Sequence, residues 1–163
     1  MAHPAKNGEL IKVPNTLKVK IGGQMAKVDM AAIAKAEAAL ASLSSNFDDW
    51  ISDEVTKLEA ARRQVGEDKL SGLAGKQLFN CAHDLKGLGT TYGFPIVTQI
   101  ADSLSKITQT QELREQAPLF LVDAHVDTIR AAVKSNIRNV DHPVGKILIA
   151  ELRNKTQDFL DTL

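Results

Sequence analysis

Apolar residues recur in steps of three and four along most of this chain, and this spacing constrains its fold more than any other feature. At about 100° per residue, such a spacing places apolar side chains on one face of an α-helix. Glycine and proline, the residues that end and begin helices, separate the stretches with this pattern. The sequence therefore predicts an all-α protein of amphipathic helices joined by short connections.

The pattern divides the chain into a short arm and a helical domain. Residues 1–28 are rich in glycine and proline and contain only a brief apolar–polar alternation, so we expect a flexible or extended arm. With Asp29 as its N-cap, a first helical pattern runs to Gly66, and a serine-rich stretch near Asn46 predicts a break or bend. The helical domain is predicted at residues 29–163, with a bundle core at about 46–139.

Four further helices are predicted after Gly66. One is drawn from Lys69 to Tyr92 and ends at Gly93. The others begin near prolines, which suit the first turn of a helix: Pro95, Pro118 and Pro143. Short connections favour an antiparallel four-helix bundle with additional N-terminal and C-terminal helical segments.

Composition argues against several kinds of partner and site. The 163 residues suit one domain, and 20 basic side chains balance 20 acidic ones without a charged run, so we expect neither nucleic-acid nor membrane binding. No apolar run approaches the roughly 20 residues of a membrane span, and no secretory signal is apparent, so we expect a cytoplasmic protein. Cys81 is the only cysteine, which excludes an internal disulfide, and we interpret it as a core thiol.

The helix drawn from Lys69 to Tyr92 places His83 opposite its apolar stripe. Residues predicted to be buried are Ala74, Leu78, Cys81, Leu85, Leu88 and Tyr92. Residues predicted on the opposite face are Lys76, Phe79, His83, Lys86, Gly87 and Thr90. An imidazole presented to solvent at mid-helix suits a histidine that another protein must reach.

The neighbours of His83 favour phosphoryl chemistry. Lys86 lies one helical turn away, where a cation can attract a phosphoryl group and partly neutralise it. Gly87 lacks a side chain that would shield the ring, whereas Gly89, on the buried side, lets a neighbouring helix come close. His125 has no comparable cation or glycine after it, and we expect a structural role for it.

Segment 83–94, HDLKGLGTTYGF, resembles the signature of histidine phosphotransfer (HPt) domains. The resemblance implies a four-helix bundle whose exposed histidine takes a phosphoryl group from a receiver aspartate and passes it to another receiver. His83 would be the phosphoacceptor, Lys86 its electrostatic partner and Gly87 the residue that gives access. We expect the partners to be receiver domains of response regulators or hybrid histidine kinases, with Mg²⁺ held by the receiver.

Around this site, Lys76, Phe79 and Thr90 are predicted to bind the partner, with Phe79 as an apolar anchor. No glycine-rich nucleotide loop is present, so we expect a phosphoryl carrier without its own ATP site or cofactor rather than an enzyme. His83 has no metal-ligand pattern around it.

Two alternatives stay open at this stage. The long pattern of 29–65, which includes Trp50, also suits a helical adaptor or dimerisation module without chemistry. The chain can also be a fragment of a larger hybrid kinase.

Overall fold

A computed structural model describes residues 29–66 and 70–163. The arm predicted at residues 1–28 lies outside the described residues. Residues 40–163 belong to one compact unit, and the described residues 29–39 belong to another. The described residues contain helices and no strand, which confirms the predicted all-α class.

Helix α1 runs without interruption through Met30–Val65. Asp29 caps it, because its Oδ1 accepts hydrogen bonds from the amides of Ala31 and Ala32 at 3.0 and 3.2 Å. The predicted break near Asn46 is wrong. The Ser45 hydroxyl donates to the Ser42 carbonyl of the preceding turn at 2.7 Å, so a residue expected to cap a new helix is accommodated inside the existing one.

The first part of helix α1 is exposed to solvent, whereas its second part has a buried face. Its residues up to Trp50 are exposed, except for the half-buried Phe47. Beyond this point the helix contributes Ile51, Val55, Leu58 and Ala61 to the core. It ends at Gly66, whose φ of +72° is readily adopted by glycine.

Helix α2 spans Gly72–Leu88 and is shorter than predicted at both ends. Gly72 has a φ of +67°, which α-helical backbone does not adopt, so the helix begins there. Beyond Leu88 the chain continues in hydrogen-bonded turns, and the amide of Phe94 donates to the Gly89 carbonyl at 2.7 Å. Gly93, with a φ of +81°, ends these turns as the sequence predicts.

Four helices follow α2. They are α3 (Pro95–Thr108), α4 (Gln111–Gln116), α5 (Leu119–Lys134) and α6 (Pro143–Leu160). The prolines begin α3 and α6 and cap α5, in agreement with the prediction. The short α4 was not predicted, although Thr110 is a good N-cap and accepts from the Leu113 amide at 3.2 Å.

Helix α3 is the central helix of the core. It contacts α2, α5 and α6, and its apolar stripe is buried as predicted at Ile96, Val97, Ile100, Leu104 and Ile107. Helix α6 packs on both α3 and α5 and buries Ile149 and Leu152, so the core extends beyond residue 139.

Ion pairs fasten the second half of α1 to α5. The Arg62 guanidinium lies 2.9 Å from Asp123 Oδ2, and the Arg130 guanidinium lies 3.4 Å from Glu59 Oε1. None of the helices in the described part of the chain combines the length and apolar character that a bilayer crossing requires.

Candidate functional site

Helix α2 presents His83 to solvent, as the sequence predicts. The helix is held on α3 by its opposite face, on which Gly75, Leu78, Ala82 and Leu85 are buried. The buried face differs slightly from the predicted stripe, because small residues allow the closest helix contact. Ala74, Cys81, Leu88 and Tyr92 are only half-buried.

The surroundings of the His83 ring are apolar on one side and open on another. The Phe79 ring lies one turn before it, with the ring centroids 5.8 Å apart and the planes tilted by 38°. A Cβ atom added at Gly87 would meet nothing within 4 Å. Lys76 is exposed on the same face, so α2 offers a cation, an aromatic ring and an imidazole along one accessible surface.

Gly89 allows α2 and α3 to approach closely near the site. A Cβ atom at this position would lie 2.7 Å from Thr98 Oγ1 and 2.8 Å from Thr98 N. The Thr98 hydroxyl also accepts a hydrogen bond from the Thr90 amide at 2.8 Å. The prediction of a close approach at Gly89 is confirmed, and the predicted partner-binding residue Thr90 lies in the turn that this contact holds.

The ammonium of Lys86 is bound to a carboxylate on the next helix. Its Nζ lies 2.8 Å from Asp102 Oδ1, and the Nζ of Lys106 lies 2.9 Å from Asp102 Oδ2. Burial raises the pKa of Asp102, but the hydrogen bonds from Lys86 and Lys106 outweigh burial and leave the pKa below its usual value. Sequence reasoning missed Asp102, for which the only local signal was Lys106 four residues later.

The turn that follows the site is held by Arg138, which the sequence analysis also missed. Its guanidinium lies 4.4 Å from the centroid of the Phe94 ring, and it donates to Asp48 Oδ1 at 2.6 Å and to Asn136 Oδ1 at 2.7 Å. The Arg138 carbonyl accepts from the Ile96 amide at 3.2 Å. This residue therefore joins the end of the His83 motif to α1 and to the chain after α5.

Cys81 packs against the core as a half-buried thiol. Burial, together with the negative charges of Asp84 and Glu54, raises its pKa, so the thiol stays protonated at neutral pH. This arrangement fits the predicted packing role and is the opposite of what a thiolate nucleophile requires.

His125 is buried, in contrast to His83. Its Nδ1 lies 2.7 Å from the Leu121 carbonyl, which can only accept, so this nitrogen carries the proton. Its Nε2 then accepts from the Ser103 hydroxyl at 3.0 Å, and Ser103 Oγ lies 2.8 Å from Thr156 Oγ1. A neutral His125 thus joins α3, α5 and α6, which confirms the structural role expected for it.

The free energy of unfolding is expected to fall as the pH drops below about 6.5, the ordinary pKa of histidine. Burial lowers the pKa of His125, and the hydrogen bond to Leu121 only partly opposes this. His125 therefore binds a proton in the unfolded chain at a pH at which it stays neutral in the folded chain. The contribution of the buried neutral ring to stability is complete above the ordinary pKa of histidine and is lost as the pH falls. Urea unfolding between pH 8 and pH 5 measures how steeply the free energy of unfolding depends on pH. This dependence should be weaker in His125→Gln. An unchanged dependence in that variant would show that His125 is not the group that causes it.

The fold and the site define an all-α protein that presents His83 on the exposed face of α2, whose opposite face packs on α3. Comparison of the chain with protein-family models, with curated proteins and with solved structures gave no match in any of the three. The function proposed for the chain therefore depends on its own residues and their geometry.

Proposed function

We propose that this chain is a histidine phosphotransfer protein of a two-component phosphorelay. The observation that carries the proposal is the exposed imidazole of His83 in the C-terminal half of α2, with open space at Gly87 and a lysine one turn away. A phosphoryl carrier needs such a histidine, because the active site of a partner protein has to close around it. The resemblance of segment 83–94 to the HPt signature points to the same function.

The proposed architecture is a four-helix bundle formed by the second half of α1 with α2, α3 and α5. The buried stripes of these helices support it, as do the ion pairs between α1 and α5. In this interpretation α6 is an addition that packs on α3 and α5, and the exposed first half of α1 is an N-terminal extension.

The proposed chemistry is an in-line phosphoryl transfer between proteins. The unprotonated nitrogen of a neutral His83 ring attacks the phosphorus of a receiver aspartyl phosphate. The new N–P bond forms as the acyl phosphate P–O bond breaks, and the receiver aspartate leaves as a carboxylate. The receiver supplies Mg²⁺ and the acidic site, and the reverse step passes the phosphoryl group to a second receiver.

The chain contributes a nucleophile and a docking surface in this scheme and needs no ATP site of its own. Lys86 adds a positive charge near the phosphoryl group, and Lys76, Phe79 and Thr90 contact the receiver. The partners are receiver domains of response regulators or hybrid histidine kinases, and the cytoplasm is where we expect the exchange to occur.

The proposal is tested with the full chain and a receiver domain that carries a radiolabelled phosphoryl group, incubated together with Mg²⁺. We expect label to move to the chain and to be acid-labile and base-stable, as a phosphoramidate is. Several receivers are tried, because the partner is unidentified. A chain that takes label from none of them, and takes none from phosphoramidate either, is not a histidine carrier.

Phe79→Ala is expected to slow transfer from the receiver by about tenfold, because removal of an aromatic anchor at the centre of an interface costs more than about 1 kcal/mol. The matched control is Phe120→Ala, which truncates a 72% exposed phenylalanine on α5. Single-turnover rates at several receiver concentrations separate weaker docking from slower chemistry. Equal rates for the Phe79 variant and the wild type would show that Phe79 is not an anchor.

A helical adaptor or dimerisation module is the second candidate, and one observation favours it. Leu40, Leu43 and Trp50 are 68%, 50% and 41% exposed on one helix, at spacings that a neighbouring helix could cover. An adaptor needs no imidazole, so replacement of His83 by Gln should leave partner binding and oligomeric state intact. Under the carrier proposal the same replacement stops signalling.

A further inference from the structure

Lys86 has an anionic partner before any phosphoryl group arrives. Its Nζ lies 2.8 Å from one oxygen of Asp102, while Lys106 binds the other oxygen at 2.9 Å. Two cations thus share one carboxylate, and Asp102 stays neutralised if one of them leaves. Lys106 is on α3 together with Asp102, four residues later, so its ion pair does not depend on α2.

We propose that Asp102 is a positioning residue, which holds Lys86 beside unmodified His83 and yields it to the phosphoryl group of phosphorylated His83. This inference rests on the proposed phosphotransfer function. Lys86 and His83 are three residues apart on α2, with their Cβ atoms about 5–6 Å from each other, so the ammonium can reach either anion by rotation of its side chain. The exchange makes and breaks ion pairs only and needs no further reactant.

The direction of the exchange follows from the charges. A phosphoryl group carries about −1.5 to −2 charges and three acceptor oxygens, whereas Asp102 carries a single charge that Lys106 already compensates. The electrostatic attraction of Lys86 to the phosphoryl group is therefore stronger than its attraction to Asp102. Because Asp102 competes for the lysine, phosphorylated His83 is stabilised less than it would be by a free lysine, and the phosphoryl group stays transferable.

The exchange itself is tested without any receiver. The full chain is phosphorylated chemically with phosphoramidate, and the side-chain ammonium resonances are followed by NMR, with Lys86→Met used for assignment. We expect the Lys86 resonance to shift on phosphorylation by more than that of Lys106, which stays bound to Asp102. A Lys86 resonance that does not move would overturn the proposal, because the lysine would then have stayed with Asp102.

The consequence for transfer is tested by the equilibrium between a phosphorylated receiver and the chain. Asp102→Asn should shift this equilibrium toward phosphorylated His83 by about two- to fivefold, the size of an exposed ion pair. In a Lys86→Met background the same substitution should have little effect, because there is no lysine to release. Equal shifts in both backgrounds would mean that Asp102 acts only through its charge and would overturn the proposal.

Asp127→Asn is the matched control, since Asp127 forms an exposed ion pair with Arg130 at 2.8 Å, away from α2. It should leave the equilibrium unchanged. If no receiver transfers to the chain while the NMR experiment shows the exchange, the phosphorelay function fails and the role of Asp102 toward a phosphorylated histidine stands. If transfer proceeds and the Lys86 resonance stays in place, the phosphorelay function stands and the proposed role of Asp102 fails.

Discussion

A His83→Gln variant is expected to accept no phosphoryl group, with a transfer rate at least about 10³-fold below that of the wild type. Glutamine is similar in size and polarity to histidine, but its amide nitrogen has no lone pair available for attack on phosphorus. Because His83 is exposed, the substitution removes no buried contact, and the free energy of unfolding should change by less than about 0.5 kcal/mol. Loss of function would then be a loss of chemistry in a folded protein.

The measurement combines label transfer with thermal unfolding on the same preparations. His142→Gln is the matched control, because it makes the same chemical change at the start of α6, where the histidine is only half-buried. That variant should accept label at the wild-type rate. Equal labelling of the His83 variant and the wild type would show that the phosphoryl group resides on another residue.

Two nearby glycines are expected to respond in opposite ways to alanine. Gly89→Ala should lower the free energy of unfolding by about 1–3 kcal/mol, because the new methyl group would lie 2.7–2.8 Å from Thr98 atoms and force α2 away from α3. Gly87→Ala should raise it by about 0.5–1 kcal/mol, because the position is helical and the space around it is open. The two substitutions therefore distinguish the effect of close helix packing on stability from the effect of helix propensity.

Urea unfolding at neutral pH measures both variants under the same conditions. The Gly89 substitution also disturbs the turn at Thr90, so slower label transfer should accompany the loss of stability. The Gly87 variant should transfer more slowly than the wild type although it is more stable, because the added methyl group enters the open space through which a receiver reaches His83. A Gly89 variant as stable as the wild type would mean that the two helices separate without cost.

Periodicity missed the short α4, but it predicted the five longer helices of the described part of the chain and the face on which His83 lies. This succeeds because a helix with one apolar stripe has a single favourable orientation on a core, and the buried residues of α3 follow the predicted stripe closely. Prolines located the starts of the later helices for a similarly local reason. The position of Gly89 was predictable as well, since a helical glycine on the buried side indicates a close neighbour.

The sequence was a poorer guide where two local preferences compete. Serine is favoured at helix caps and is also tolerated inside helices when its hydroxyl binds a preceding carbonyl, as Ser45 does. The local sequence does not determine whether a serine caps a new helix or continues an existing one, and for this reason the predicted break near Asn46 was wrong.

Contacts between helices could not be predicted, because they depend on how the helices are rotated and offset against each other. Asp102 reaches Lys86 only because α3 lies along α2 in one particular register. Arg138 is 90 residues from Asp48 in sequence, and no spacing rule connects them. The electrostatic surroundings of the candidate site therefore became visible only in three dimensions.

The placement of Arg138 has a consequence for synthesis of the protein on the ribosome. The guanidinium that anchors Asp48 and stacks on Phe94 emerges well after both, so the turn beyond His83 lacks this anchor while the first helices are already made. Contacts across so many residues also carry a loop-closure entropy that is compensated only when the rest of the chain is in place. The turn beyond His83 thus gains its final support late, only after Arg138 has been synthesised.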